Sequence, residues 1–83
     1  MPIYLDALEI CDKMTDEMIL ELNSMIEEHD MNVLSFFTKE KKFLGFCVCD
    51  TKDVKKLKKK HTKEGVDVCI GNEVIRPVKI ARN

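Results

Sequence analysis

Apolar residues in the opening stretch fall on alternate positions. Ile3, Leu5 and Ala7 stand against Tyr4, Asp6, Leu8 and Ile10, the period of a strand. Apolar character on both sides predicts a strand from Ile3 to Ile10 that is covered on both faces. The spacing then changes. Met18, Ile19, Leu22, Met25 and Ile26 recur at helical intervals and form one apolar stripe of about three turns. Thr15 is placed to cap that helix, Asp16 and Glu17 suit its positive end, and Met14 can staple onto Ile19. MNVLSFFT and FLGFCVCD are β-rich runs separated by the charged KEKK, the pattern of a hairpin. TKDVKKLKKKHTKEG predicts a second helix that starts near Asp50 or Thr51 and stops at Gly65. Its apolar stripe is thin: Val54, Leu57 and then His61. The tail VDVCIGNEVIRPVKI returns to β composition, broken by a turn at Gly71-Asn72. Pro77 cannot donate to a ladder, so the last strand should lie at an edge or end there.

Strand, helix, strand, strand, helix, strand is the split βαβ pattern. It predicts an α+β, ferredoxin-like βαββαβ fold, with an antiparallel sheet and two helices on one face. The 83 residues leave room for a single domain, 1–83. The other sheet face would then be open, with Tyr4, Leu8 and Ile10 opposite Ile3, Leu5 and Ala7, and Phe36 and Phe37 on opposite faces of their strand. Exposed apolar surface of that kind marks an interface, and the sequence predicts a homodimer through the open sheet face.

Charge sharpens this picture. The formal net charge of −1 conceals a strong segregation. Residues 1–30 hold nine acids and one Lys, a net of −8, whereas residues 39–63 hold ten Lys and three acids, a net of +7. Side by side, an acidic and a lysine-rich helix would attract one another, with each exposed pair worth only ~0.2–1 kcal/mol. At 45% hydrophobic and 35% charged the chain is a folded globular one. No apolar run approaches the ~18 residues of a membrane span. The acidic opening MPIYLDALEI, without a basic flank, predicts no secretory leader. The expected compartment is cytoplasmic, with the four cysteines as free thiols.

Part of the chain is similar to a known family. FCVCDTKDVKKLKKKHTKEG carries Phe46, Cys47, Asp53, His61 and Gly65, and PIYLDALEI carries Pro2, Tyr4 and Asp6. With the ending NEVIRPV, these resemble the matching stretches of small uncharacterised or nickel-binding ferredoxin-like domains. The resemblance implies the same fold and a divalent metal, Ni²⁺ or Zn²⁺, held non-catalytically. Leu8 stands where that family has an opening-strand histidine, and Asn23 stands near the place of its first-helix histidine. Several further residues, VDVCIG, separate Gly65 from the last strand. His61 is the one imidazole left on a matching position, and Asp6 is its expected companion as a metal ligand.

The residues themselves leave more than one role open. Positions 54, 57 and 61 share a helix face, so His61 leans toward the sheet. There it either finishes a thin core or meets a ligand or metal. His29 ends the acidic helix as a structural charge. Cys47 and Cys49 project from one strand face as small core residues or as secondary metal candidates, with Cys69 as a conceivable third sulfur. The exposed lysines, Lys55, Lys56 and Lys59 among them, are a solvated face or a surface for an acidic protein partner. With two Arg in the chain and no aromatic-basic alternation on the third strand, they argue against nucleic acid. No triad, phosphate loop or spaced acid/base pair supports catalysis. The expected function is a small non-catalytic binding protein for a divalent metal or small ligand. The alternative is an assembly module that has lost the metal ligands.

Overall fold

A computed structural model describes residues 2–76 of the chain. The elements are β1 (Ile3–Asp6), a π-helical turn (Glu9–Lys13), α1 (Asp16–Glu28), β2 (Asn32–Phe37), β3 (Phe43–Cys49), α2 (Thr51–Lys63) and β4 (Asp67–Gly71). The α+β class, the ferredoxin-like βαββαβ order and the antiparallel sheet are those the sequence predicts. Thr15 caps α1 by accepting the Met18 N–H at 3.1 Å. Gly65 follows the end of α2 with φ +87°, a left-handed conformation that favours glycine.

The first strand is shorter than its alternation suggests. Asp6 Oδ1 accepts the Glu9 N–H at 2.8 Å, and Glu9 Oε1 accepts the Asp6 N–H at 3.1 Å. This reciprocal D-x-x-E pair is a capping box, and it turns the chain into the π-helical segment before a longer strand can form. Ile10 is thereby buried from a helical turn and not from a strand.

The strand order is β1-β3-β2-β4, with every neighbour antiparallel. β4 comes from the VDVCIG stretch. Residues 72–76 form no strand, and the expectation for Pro77 falls outside the described residues. Each parallel pair is split by one antiparallel strand: β3 lies between β1 and β2, and β2 lies between β3 and β4. The two crossovers step the same way across the sheet from strands that run in opposite directions. Right-handed crossovers must then place their helices on opposite faces.

The packing shows this arrangement and corrects the expectation of two helices on one face. On one side Ile26 of α1 packs with Ile10, Val33, Phe46, Val48 and Val74. On the other, Leu57 of α2 packs with Leu34, Phe36, Cys47 and Cys49. The acidic and basic helices are therefore not neighbours, because the whole sheet separates them. The wholly open sheet face on which the homodimer expectation rested is also replaced by two faces, each carrying one helix. Phe36 does point to the α2 side, while Phe37 meets Phe43 at 5.8 Å on the other.

The α1 side is closed by the segment after β4. The Asn23 side chain brackets Val74, donating to its carbonyl at 2.9 Å and accepting its N–H at 2.7 Å. Arg76 donates to the carbonyls of Ile10, Cys11 and Met14 at 2.7–3.1 Å and to Asp16 at 2.9 Å. These bonds satisfy carbonyls that the π-helical turn leaves open. Among the described residues, no helix is long and apolar enough to cross a membrane.

Candidate functional site

The chemistry-bearing side chains collect on the α2 side. Asp50 holds the N-cap backbone conformation of α2, and the Asn32 amide donates to Thr51 at 2.8 Å. At the other end the His61 carbonyl accepts both the Glu64 and the Val66 N–H at 3.0 Å. The left-handed Gly65 makes that second bond possible. Lys60, His61 and Lys63 in the last turn suit the negative end of the dipole. The backbone beneath His61 is thus fixed by the way the helix stops.

Its ring is largely buried and lies 4.3 Å, centroid to centroid, from Phe36, with Tyr4 at 6.2 Å in an edge-on arrangement. Nδ1 is 3.7 Å from a Glu64 carboxylate oxygen. Nε2 is buried and has no hydrogen-bond partner among the described residues. A buried polar atom without a partner is costly, so such an atom calls for a complement.

A cavity of about 250 Å³ opens beside this ring. Tyr4, Asp6, Phe36, Leu44, His61 and Val66 line it, with Gly45 at its floor. Gly45 is required there by close approach: a Cβ on it would sit 2.5 Å from the Leu5 carbonyl oxygen of the paired strand. His61 and Asp6 therefore line one cavity. Asp6 has one carboxylate oxygen committed to the Glu9 N–H. Among the described residues, no three His, Cys, Asp or Glu side chains are grouped so as to hold a metal.

Cys47 and Cys49 lie under the same face, fully buried. Burial pushes the Cys47 thiol above its ordinary range, with hydrogen bonding from Tyr4 and Cys49 pulling the other way. Burial, then the neighbouring Cys47, pushes Cys49 up to about 11. Burial also raises Tyr4, with Cys47 adding to it. With both values raised, these sulfurs are protonated thiols at neutral pH and weak nucleophiles. Cys69 is exposed and pairs with Ser35 on the far edge, on the opposite sheet face from Cys47. It supplies no third sulfur.

Lys55, Lys56 and Lys59 are all exposed on α2. Lys55 and Lys59 join Lys58, Thr62 and Lys63 along a shallow groove of about 480 Å³. His29 is exposed at the end of α1, 3.6 Å from Glu28, the surface position its sequence context predicts. Sequence reasoning missed Tyr4 and Gly45 as cavity residues. Tyr4 opposes Cys47, and Asp6 opposes Gly45, only through the register of β1 on β3. No local pattern announces that pairing.

No protein-family model matches this chain, and no curated protein or solved structure does either.

Proposed function

We propose that this chain is a non-catalytic binding domain whose site is the His61 cavity. One observation carries the reading: a buried, unpartnered His61 Nε2 in the wall of a mostly apolar cavity. The volume lies below the ~300–1,000 Å³ of sites for drug-sized molecules, so the ligand is small. Phe36, Leu44 and Val66 favour an apolar body, and Nε2 asks for one hydrogen-bonding group. A short-chain carboxylic acid or a phenol has that form. Apolar burial would supply affinity, and the single polar contact would supply orientation.

A second reading keeps the divalent metal, Ni²⁺ or Zn²⁺, with His61 and Asp6 as protein ligands. It is favoured by their sharing the cavity and opposed by the lack of a third ligand among the described residues. Waters would have to complete the coordination. The test titrates isobutyrate, p-cresol, NiCl₂ and ZnCl₂ separately into the chain and follows the ring resonances of His61 and His29 by NMR. Saturable shifts of His61 with an organic probe, kept in His29→Ala and with the His29 ring unmoved in the unmutated chain, are expected. Saturation by metal alone, lost in both His61→Ala and Asp6→Ala, selects the second reading. A His61 ring that responds to none of the four ends both.

A further inference from the structure

The helices on the two faces of the sheet carry opposite charge. α1 holds Asp16, Glu17, Glu21, Glu27 and Glu28 with no basic residue, a formal −5. α2 holds seven Lys against Asp53, a formal +6 with His61 neutral. Each outward stripe has a definite shape. On α1, Leu20 is 68% exposed and stands among the exposed Glu17, Glu21, Ser24 and Glu27. These are its neighbours at three- and four-residue spacing or one step along the stripe. On α2, Lys55, Lys58, Lys59, Thr62 and Lys63 follow the same helical spacing and enclose the shallow groove. Lysine stems wall such a groove with methylenes while the ammonium groups stay in water.

We infer that the occupant of the lysine groove is the α1 face of a second copy of this chain, joined head to tail. Leu20 of one copy enters the groove on α2 of the next, and the flanking glutamates meet the lysines. Charge complementarity selects the arrangement. With Asp16 paired to Arg76, a symmetric pairing through α1 would set the four glutamates against four more, and one through α2 would set +6 against +6. Like charges across an interface are strongly disfavoured, whereas the mixed pairing is attractive over its whole width. Because the two patches differ and lie on opposite sides, the contact is heterologous and does not close on itself. The product is a stack that grows with concentration, not a dimer.

The test is sedimentation velocity of the chain over a concentration series in about 10 mM and about 1 M salt, where the Debye length falls from ~30 to ~3 Å. The average mass should rise past that of a dimer at low salt and return to the monomer at high salt. Two double variants then separate the ends: Lys55→Glu with Lys59→Glu, and Glu21→Lys with Glu28→Lys. Each alone should associate about tenfold more weakly. Mixed, they should associate more strongly than either does alone, since each retains one intact face. Leu20→Ser should also weaken the stack, and circular dichroism melting confirms that every variant is folded. A monomer at both salt concentrations overturns the proposal. So does a dimer plateau that survives either double variant, or a mixture of folded variants that fails to pair.

Discussion

The two faces of this sheet are built to different standards. On the α1 side, Ile10, Ile26, Val33, Val48 and Val74 are each at most 1% exposed. Asn23 and Arg76 bind the returning chain across them with six hydrogen bonds. On the α2 side the helix contributes one buried residue, Leu57, still 8% exposed. Its core is completed by two thiols and an imidazole with an unpartnered nitrogen. The well-packed face holds the domain together and leaves its partner face free to carry an imperfectly filled cavity. Sites of ligand chemistry are often drawn from such less stable regions.

Core truncation breaks this comparison most directly. Ile26→Ala should cost about 3–5 kcal/mol of unfolding free energy and Leu57→Ala about 2–3, within the range for buried large-to-small changes. Urea denaturation gives both values, and equal losses would mean that the faces are equally load-sharing. Next in size are the polar ties. Arg76→Ala removes its bonds to three carbonyls and to Asp16 and should cost about 1.5–3 kcal/mol, with Asn23→Ala near the lower figure. Matching losses from truncating exposed α2 lysines would remove the distinction between the faces.

The thiols provide a third test. Their raised values mean that the folded chain holds protons which the unfolded chain releases near pH 9. Stability from this source is complete below that pH and is lost as pH climbs toward the value of about 11 for Cys49. Denaturation midpoints should therefore fall between pH 9 and 11, and less so in Cys49→Ala. A parallel decline in that variant would place the effect elsewhere. The smallest effect concerns α2 itself. Lys56→Glu with Lys59→Glu should raise the melting temperature slightly at low salt and at a concentration where the chain is monomeric. It replaces like-charge neighbours four residues apart with attractive pairs of ~0.2–0.5 kcal/mol each. Adjacent helices of opposite charge would give the reverse sign.

Much of this plan is legible in the sequence, and the gaps have specific causes. Thr15, Gly65 and the KEKK hairpin act through local backbone chemistry, so their neighbourhoods disclose them. The end of β1 was hidden because alternation and the D-x-x-E pair compete over the same residues, and only hydrogen-bond geometry decides between them. VDVCIG has strand composition, but nothing in it says whether it joins β1 or β2. That choice of edge sets the face on which α2 lies, so one unresolved pairing moved a whole helix. His61 was found because 54, 57 and 61 share a helix face. Its cavity was not, because Tyr4, Phe36 and Gly45 arrive from three strands whose register is non-local.

The bracket around Val74 leaves a distinctive trace in amide hydrogen exchange. Residues 72–76 belong to no ladder, and amides of such stretches ordinarily trade their protons with solvent quickly. Val74 is 1% exposed, and its N–H is held at 2.7 Å by the Asn23 side chain. It should exchange as slowly as a central strand residue while its neighbours Glu73 and Ile75 exchange fast. A single protected amide in an irregular stretch would then report, residue by residue, how often the clasp opens. Its opening free energy would be that of the α1 side alone, read without unfolding the molecule.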